Sequence, residues 1–351
     1  MLSPLPGTAT IQDVARHAEV SVSTVSNVLN GREARMRPDT LERVRRAIAE
    51  LAFRPNPSAR HLKTGRLQMI GLLVPSIANP FYGTLARWVE AAALERGFGV
   101  LLCNTQRDAM REREYAEALM AQGVRGVIMG SALQAQEHLG PMVARGLAVV
   151  CFDRTAQSLQ SPAPLMDYVS MDNARAAAMA VAHLVALGHR HIAYVSAEAH
   201  SMNRMARLQG ASEACTQAGV TLHTHVSPRS AGYAEGELAE LGRAAAVDLC
   251  RQASPCTGWI AMNDMVAIGV LAGLRDSGRR VPEDVSLVGI DDQFLGQYLS
   301  PSLTTVRQPM QAIAEAAVER VLARMQSSGE SPHEQVFLPE LVVRESSGAR
   351  A

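Results

Sequence analysis

The stretch IQDVARHAEVSVSTVSNVLN, at Ile11–Asn30, decides the fold of the first part of the chain. Its first half repeats apolar residues every three or four positions, which puts them on one face of a helix: Ile11, Val14, Ala15 and Ala18. Glu19 and Val20 form a turn, and Ser21 is a natural N-cap for a second helix. The apolar residues of that helix are Val25, Val28 and Leu29. The stretch therefore predicts two short helices joined by a tight turn.

The other side of the second helix carries short side chains that can approach the edges of DNA bases: Val22, Ser23, Ser26 and Asn27. The major groove of DNA admits a helix and displays a distinct donor and acceptor pattern for each base pair. This side therefore favours a helix that reads DNA. An ordinary helical hairpin with a polar outer face also fits, because helix-turn-helix patterns are short.

Further motifs follow along the chain: FRPNPSARHLKTG at Phe53–Gly65, IGLLVPSIANPFY at Ile70–Tyr82, MDNARAA at Met171–Ala177, NDMVAIGVL at Asn263–Leu271, VPEDVSLVGIDD at Val281–Asp292 and LTTVRQP at Leu303–Pro309. Together with Thr10–Gly31 and a third helix expected from Pro38, they resemble the lactose-repressor/galactose-repressor (LacI/GalR) family of bacterial transcription regulators. The motifs stand in the family's order and cover nearly the whole chain.

The composition is that of a chain with a sizeable core and more than one domain. The length of 351 residues suits two or three domains, and 47% of the residues are apolar. The first residues, MLSPLPGTAT, have no basic start and no apolar run, so we expect no signal peptide. No apolar run reaches about 18 residues without a charge or a turn signal, so we expect no membrane span. The five cysteines show no CxxC spacing, which favours reduced thiols in a cytoplasmic protein.

The charge is unevenly distributed although the net charge is zero. Residues 1–66 hold 11 basic and 6 acidic side chains, whereas the rest of the chain holds 23 basic and 28 acidic ones. A basic module on an acidic body can release counterions from DNA without coating the whole protein in nucleic acid. The distribution therefore favours DNA binding by the N-terminal part alone.

From Leu67 onward, apolar runs alternate with helical patterns, which predicts parallel sheets covered by helices on both faces. The resemblance implies an N-terminal all-α helix-turn-helix headpiece followed by an α/β core of two parallel-sheet lobes, like that of periplasmic sugar-binding proteins. The chain would cross between the lobes near Met171, at Asp291–Pro309 and near Val336. The expected domains are a disordered arm (1–8), the helix-turn-helix domain (9–56), a hinge (57–66) and an effector-binding and dimerisation domain (67–347), with an N-lobe at 67–171 and 309–335 and a C-lobe at 172–308 and 336–347.

The resemblance also implies that two headpieces of a homodimer read the halves of a pseudo-palindromic, double-stranded DNA operator. Val22, Ser23 and Asn27 would touch base edges, and Asn27 suits adenine. In the family the hinge folds on the operator and a leucine, here Leu62, wedges between base steps in the minor groove. Without the family, Leu62 is only an apolar residue in a linker. The expected DNA-binding residues are Thr10, Val22, Ser23, Thr24, Ser26, Asn27, Asn56, Ser58, Ala59, Leu62 and Lys63.

Polar residues end nearly every apolar run, at the sheet edge where ligands of such folds gather. Asn79 and Pro80 also predict a capped helix whose free N–H groups face the same cleft. A cleft lined by Asp, Asn and Arg suits a ligand with several hydroxyls, such as a sugar or a sugar acid. The positions that match the family's effector contacts are Phe81, Asp153, Asp172, Ser201, Asn203, Arg207, Asn263, Asp264 and Asp291.

Some of these residues have structural alternatives. Asp264 and Asp172 could cap the helices that follow them, and Phe81 could belong to the core. Purine-responsive members of the family carry an arginine where Ser201 aligns, so a purine fits less well than a sugar.

No cofactor, metal site or catalytic centre is predicted. His183, His189 and His191 suggest a metal site at first, but LGHRHIAYV resembles a helix-to-strand turn of the family and no fourth ligand stands out. The chain has no GxGxxG after the first strand, no GxxxxGK[ST] and no GxSxG. We therefore expect a cytoplasmic, effector-responsive repressor and no enzyme; the alternatives are a periplasmic-type binding protein and an α/β enzyme.

Overall fold

The computed structural model describes residues 9–29, 31–32, 36–53, 68–130, 137–152, 166–197, 201–227, 235–252, 254–327 and 331–350. It divides the chain into two compact units, Met1–Leu67 and Gln68–Ala351, which we name the headpiece and the core unit. The arm expected at 1–8 and the hinge expected at 57–66 lie outside the described residues, as do Asp153 and the expected DNA contacts from Asn56 to Lys63.

The described part of the headpiece folds as three helices: α1 (Ile11–His17), α2 (Val22–Leu29) and α3 (Pro38–Glu50). The Ser21 hydroxyl oxygen accepts the Thr24 N–H at 3.1 Å, which confirms the cap expected for α2. The helices enclose one small buried core, formed by Val14, Ala15, Ala18, Val25, Val28, Val44 and Ala47.

The turn between α1 and α2 holds a side chain in an unfavourable backbone conformation. Glu19 has a φ of +52°, its N–H donates to the Arg16 carbonyl at 3.2 Å, and the Val20 N–H donates to the Ala15 carbonyl at 3.0 Å. This helix ending usually places glycine at the position of Glu19, because a side chain there costs roughly 1 kcal/mol. Ala52, with a φ of +44°, ends α3 in the same way.

The N-lobe of the core unit is a six-stranded parallel sheet with the order β11–β5–β4–β3–β1–β2. Its strands are β1 (Met69–Val74), β2 (Gly99–Asn104), β3 (Gly126–Met129), β4 (Ala148–Phe152), β5 (Asp167–Met171) and β11 (Glu334–Phe337). Its helices are α4 (Pro80–Glu95), α5 (Ala109–Ala121), α6 (Gly140–Ala144) and α11 (Met310–Gln326).

The C-lobe repeats this plan with the order β12–β10–β9–β8–β6–β7, in which only β12 is antiparallel to its neighbour. Its strands are β6 (His191–Ala197), β7 (Thr221–Ser227), β8 (Gly258–Ala261), β9 (Ser286–Asp291), β10 (Thr304–Arg307) and β12 (Glu340–Val342). Its helices are α7 (Asn173–Ala186), α8 (Met202–Gln217), α9 (Glu235–Arg251) and α10 (Asp264–Asp276). Strands β1, β3, β4, β8 and β9 are buried along nearly their whole length, which confirms that apolar runs predict parallel strands covered on both faces.

The chain passes between the lobes at Asp172, at Gln308–Pro309 and at Leu338–Pro339. The crossing near the end of the chain was expected near Val336. Two strands lie there, β11 and β12, and Pro339 between them has no N–H for a sheet ladder. Val336 and Phe337 still pair with Ser170 and Met171 in the N-lobe, so this crossing lies after Phe337.

Helix α9 was not predicted from the sequence, and it crosses α10 in direct backbone contact. A Cβ on Gly269 would lie 1.8 Å from the Ala239 carbonyl oxygen, and one on Gly242 would lie 2.2 Å from the Val266 carbonyl oxygen. Only glycine allows this approach, which fixes the position of α10 and of the residues at its N-terminus. Among the described helices, none is both long and apolar enough to cross a membrane.

Candidate functional site

Two surfaces of the molecule collect the residues expected to act, one on each unit. The first is the outward side of α2 in the headpiece, where Val22, Ser23 and Asn27 are exposed, Val22 by 43%. Val25 and Val28 are buried on the opposite side. The helix therefore presents short side chains to solvent from a fixed three-helix core. Thr24 and Ser26 are partly exposed.

Thr10, also expected to contact DNA, is the N-cap of α1. Its hydroxyl donates to the Asp13 carboxylate at 2.6 Å, its N–H donates to the same oxygen at 2.9 Å, and the Asp13 N–H donates back to the hydroxyl at 3.3 Å. This is a reciprocal capping box. The hydrogen bonds from Thr10 hold the pKa of Asp13 below its ordinary value.

The second surface is a cavity between the two lobes of the core unit. It encloses about 40 Å³, which is room for a few water molecules. The described lining residues from the N-lobe are Asn79, Phe81, Tyr82 and Arg107. Those from the C-lobe are Ser201, Asn203, Arg204, Arg207, Met262, Asn263 and Asp291. Six of the nine expected effector contacts are thus brought together: Phe81, Ser201, Asn203, Arg207, Asn263 and Asp291.

Arg207 is the centre of the hydrogen-bond network in this cavity, although it is only 5% exposed. Its Nη2 donates to the Asp291 carboxylate at 3.3 Å, and its Nη1 donates to the Met262 carbonyl at 2.7 Å. Its Nε donates to the Asn173 side-chain oxygen at 2.8 Å. Three partners from three separate segments of the chain hold the guanidinium in one orientation, so it can present a fixed pattern of donors and charge.

Asp291 ends β9 with a φ of +126°, which turns its carboxylate toward Arg207. The Gln308 side-chain N–H₂ donates to the same carboxylate oxygen at 2.8 Å. Burial raises the pKa of Asp291, and Arg207 and Gln308 oppose that shift. Because Gln308 lies in the crossing from β10 to α11, this contact joins the ion pair to a segment that connects the lobes.

Asp264 does not line the cavity, contrary to the expectation. It is fully buried, its Oδ2 accepts the Gln293 N–H at 2.7 Å, and its Oδ1 accepts the Thr305 hydroxyl at 2.6 Å. The expected alternative role as a cap is also wrong, because Asn263 caps α10 by accepting the Val266 N–H at 3.0 Å. Asp264 thus links the loop after β9 to strand β10 through hydrogen bonds.

The pKa of Asp264 is unusual for a carboxyl group. Burial, reinforced by the nearby charge of Asp291 and more weakly by that of Asp292, raises its pKa to about 7, while the Thr305 and Gln293 hydrogen bonds oppose the shift. Asp292 itself is held by Arg307 at 2.7 Å and Arg344 at 2.6 Å. When Asp264 carries a proton, it adds no negative charge beside the buried Arg207–Asp291 pair.

Three other expected contacts have their positions explained locally. Asp172 caps α7 by accepting the Arg175 N–H at 2.9 Å and is not among the described lining residues, so its structural alternative describes it better. The Ser201 hydroxyl donates to Asn203 at the start of α8. Phe81 is both a core residue and a lining residue: it is 5% exposed, and its ring centroid lies 5.8 Å from that of Phe152.

Several residues of this cavity were not predicted from the sequence. Tyr82, Arg107, Arg204 and Met262 line it, and Asn173 orients Arg207. The helix start signal marks Asp172 as a cap and gives no indication of a role for Asn173, which follows it. The expected cap at Asn79 is confirmed, since its side chain accepts the Phe81 N–H at 2.9 Å.

A wider groove of about 500 Å³ shares Phe81 and Asp291 with the cavity. It passes Gln308 and Met310 and reaches Trp88 on α4. The cleft combines polar side chains from both lobes, a buried arginine–carboxylate pair and aromatic rings. This combination suits the binding of a small polyhydroxylated molecule.

Comparison with known proteins identifies the family. Residues 10–56 match the family model described as "Bacterial regulatory proteins, lacI family", and residues 181–347 match a "Periplasmic binding protein-like domain". The HTH-type transcriptional regulator DegA of Bacillus subtilis (strain 168) is 32% identical over 339 residues, which are 96% of this chain and 98% of DegA. The chain belongs to the LacI family of transcriptional regulators.

Two solved structures resemble this LacI-family regulator over both units. A complex of the transcriptional regulator CelR with cellobiose is 30% identical, with a TM-score of 0.69 and coverage of 96% of this chain and 99% of CelR. The lac repressor dimer bound to operator and the anti-inducer ONPF is 25% identical, with a TM-score of 0.85 and coverage of 97% and 99%. A LacI-family regulator acts by binding DNA and is not an enzyme, so both the enzyme alternative and the periplasmic-type alternative are set aside.

Proposed function

We propose that this LacI-family regulator is a cytoplasmic repressor that binds a pseudo-palindromic operator as a homodimer and responds to a sugar or a sugar acid. The observation that carries the proposal is the outward side of α2, where Val22, Ser23 and Asn27 stand exposed on a helix fixed by a buried core. An exposed helix with short side chains fits the width of the major groove.

Within the operator, Asn27 is suited to adenine, because its amide can accept from N6 and donate to N7 of that base. Thr24, Ser26 and Thr10 would contact the backbone or base edges close by. The hinge residues Asn56, Ser58, Ala59, Leu62 and Lys63 are proposed to follow the family pattern, with Leu62 opening a base step in the minor groove. The basic charge of residues 1–66 would make binding strongly dependent on salt.

The effector is proposed to bind in the cavity around Arg207 and Asp291, with Asn203 and Asn263 as further polar contacts and Asp153 as an expected one. The cellobiose bound by the similar CelR supports a sugar. Ligand sites commonly enclose about 300–1,000 Å³, so a cavity of about 40 Å³ must enlarge to receive an effector. Parting of the lobes would supply that volume, and an effector that prefers one lobe arrangement would shift the population of DNA-binding states.

The homodimer is supported by apolar side chains that are exposed on both lobes. On the C-lobe, the short 3₁₀ helix Phe294–Tyr298 exposes Phe294 by 62% and Tyr298 by 76%. On the N-lobe, Leu102 of the edge strand β2 and Leu94 of α4 are exposed. Exposed apolar groups of this size favour contact with another protein surface, and a two-fold dimer would suit a pseudo-palindromic operator. The operator-bound dimer of the similar lac repressor supports this assembly.

Selection from randomised DNA duplexes with the full-length protein tests the DNA half of the proposal. We expect enrichment of a pseudo-palindromic sequence, and we expect anisotropy titrations with it to weaken as salt rises. Asn27→Ala should weaken specific binding by about 1–3 kcal/mol and relax the preference at one position of each half-site. Gln122→Ala, an exposed amide on the core unit, is the matched control and should bind like the wild type. Equal binding of all duplexes at every salt concentration would refute sequence-specific recognition.

The effector half is tested with the selected operator and a panel of sugars and sugar acids, cellobiose and ribose included. We expect one of them to change operator affinity in the wild type and to have no effect on Arg207→Lys, which keeps the charge but loses the forked donors. Arg175→Lys, an exposed arginine on α7, should respond like the wild type. Response to a purine base only, with none to any sugar, would contradict the proposed effector class while leaving the DNA half intact.

A dimer is tested by sedimentation of Phe294→Ser/Tyr298→Ser against Leu338→Ser. Leu338 is 60% exposed but lies in the crossing between β11 and β12. We expect the double variant to dissociate at concentrations where the wild type and the Leu338 control remain dimeric. A monomeric wild type at micromolar concentration would overturn the proposed assembly.

A further inference from the structure

The three histidines of LGHRHIAYV and its flank take separate places in the C-lobe. His183 and His189 are hydrogen-bonded to the hydroxyls of Ser347 and Thr257, each at 2.8 Å. His191 has no such hydroxyl contact among the described residues and lies beside a fourth histidine, His223. The segment therefore serves local packing at two positions and creates an imidazole pair at the third.

His191 begins β6 and His223 lies in the middle of β7, the edge strand of the C-lobe sheet. The parallel register pairs Ala193 with His223, so His191 and His223 lie diagonally on the same face of the sheet. Both side chains are half-buried. The Nδ1 of His191 is 3.4 Å from the Nε2 of His223, and the ring centroids are 5.6 Å apart with an angle of 47° between the planes.

The distance between the two nitrogens is informative. At 3.4 Å it is longer than hydrogen bonds from N–H donors usually are, which is about 2.7–3.2 Å. Two imidazole nitrogens that ligate one tetrahedral zinc ion at about 2.0–2.1 Å are separated by about 3.3–3.4 Å. The pair thus has the spacing of two ligands on one ion and is at the long end of the range for a donor and its acceptor.

We infer that His191 and His223 form a binding site for Zn²⁺, completed by water, at the edge of the C-lobe sheet. Imidazole is a preferred ligand of zinc, nickel and copper ions, and Ni²⁺ and Cu²⁺ should occupy the same place. Within the part of the chain that the structure describes, no group of three or more His, Cys, Asp or Glu side chains is arranged to hold a metal ion. The site therefore has two protein ligands and open coordination positions. Its affinity for zinc is modest compared with that of a closed structural zinc site.

The ion would join β6 to β7 through side chains in addition to their backbone ladder. Among the described strands, β7 has a neighbour on one side only, so a bond between its centre and β6 opposes fraying of the sheet edge. Metal binding to the folded state alone raises its stability by mass action. The site lies outside the cavity lined by Arg207 and Asp291, and its occupancy is independent of the proposed effector.

The test uses the untagged full-length protein, titrated with Zn²⁺ by calorimetry and followed by thermal unfolding. We expect one Zn²⁺ per chain and a rise in the Tm of the core unit of about 5 °C at roughly 100 times the dissociation constant. His191→Gln and His223→Gln should each lose this rise. His225→Gln, two residues along the same strand, is the matched control and should keep it. Mg²⁺, which prefers oxygen ligands, should have no effect on any of the proteins.

A spectroscopic measurement keeps the outcome decisive if a histidine variant fails to fold. The electron paramagnetic resonance spectrum of wild-type protein with less than one equivalent of Cu²⁺ should show coupling to two imidazole nitrogens. A spectrum with oxygen donors or a single nitrogen would overturn the inference. So would absence of Zn²⁺ binding by the wild type, or unchanged Zn²⁺ binding by both folded variants.

Discussion

Helices in the headpiece and in the core unit end in the same hydrogen-bonding pattern, but two of the three described headpiece helices end on residues other than glycine. In the headpiece, α1 and α3 turn through Glu19 and Ala52, whereas α2 turns through Gly31. In the core unit, α4–α8 and α10 turn through glycines: Gly97, Gly123, Gly146, Gly188, Gly219 and Gly278. A side chain in this conformation costs roughly 1 kcal/mol, so the smaller unit is also the one that carries this strain. The difference teaches that Glu19 and Ala52 each make the headpiece less stable than glycine at the same position would.

The two units also place their functional side chains differently. Val22, Ser23 and Asn27 stand in solvent, where a substitution leaves the fold unaffected. Arg207, Asp291 and Asp264 are buried charges or potential charges that depend on one another. We therefore expect substitutions on the outward side of α2 to leave the headpiece fold intact, whereas a change at Arg207 or Asp291 should alter the stability of the core unit.

The largest expected effect is that of Arg207→Leu, because it leaves the Asp291 carboxylate buried without its cation. We expect the free energy of unfolding of the core unit to fall by about 3–5 kcal/mol, with the headpiece transition unchanged. Urea unfolding with separate probes for the two units measures this. Arg175→Leu, an exposed arginine, should change it by less than about 0.5 kcal/mol. Equal effects of both variants would show that the buried pair contributes no more to the free energy of unfolding than an exposed arginine does.

A somewhat smaller effect is expected from pH acting on Asp264. Its pKa in the folded protein, about 7, lies above its ordinary value of 3.8, so the folded state keeps a proton that the unfolded chain has released. This contribution to stability is complete below about pH 4 and is lost as the pH rises through 7. The free energy of unfolding of the core unit should fall by up to about 1.4 kcal/mol per pH unit in that window.

Asp264→Asn should remove most of that slope, whereas Asp248→Asn, at an exposed position on α9, should keep it. The measurement is urea unfolding at several pH values between 4 and 8. A slope that survives Asp264→Asn would assign the pH dependence to another group.

The difference in helix endings is tested by exchanging residue types. Glu19→Gly should stabilise the headpiece by about 1 kcal/mol, and Gly97→Ala should destabilise the core unit by a similar amount. A Cβ on Gly97 would meet nothing within 4 Å, so only the backbone conformation is changed. Glu42→Gly, in the middle of α3, is the control and should destabilise the headpiece by about 1 kcal/mol. Stabilisation by both glycine substitutions would point to a cause other than the left-handed conformation.

The smallest expected effect is that of acid on the headpiece, and its sign is opposite to that of Asp264. Thr10 lowers the pKa of Asp13, so the contribution of the capping box is present above the ordinary value of 3.8 and is lost as the pH falls below it. Circular dichroism between pH 6 and 2.5 should show the headpiece loosening at the acid end. Asp13→Asn should weaken that pH dependence, whereas the core unit should gain stability over the upper part of the same range.

Much of the fold follows from local sequence patterns. The headpiece is predictable because Thr10 and Ser21 are caps at fixed offsets from an apolar stripe, and the effects that hold these helices act over three or four residues. The lobes are predictable because a strand buried on both faces must be apolar throughout. The helix α9 was missed because Gly242 interrupts its apolar face, and the role of that glycine exists only when α10 is packed against it.

The cavity is less predictable because its contacts join distant parts of the chain. Arg207 meets Asn173, Met262 and Asp291, and no sequence spacing encodes those distances. The local sequence also does not decide the role of Asp264, because its position after Asn263 suits both a ligand contact and a cap. Its actual partner Thr305, 41 residues away, decides that it is neither.

The arrangement of β11 and β12 has a consequence for the order in which the protein is made. Each lobe receives an edge strand from one segment, Glu334–Val342, near the end of the chain. Neither lobe can complete its sheet before this segment has been synthesised, whereas the helices of the headpiece are complete once Phe53 has left the ribosome. A message that stops before codon 334 yields a DNA-reading module attached to two unfinished lobes. Premature stops in this short segment therefore leave the headpiece helices complete and remove an edge strand from both lobes at once.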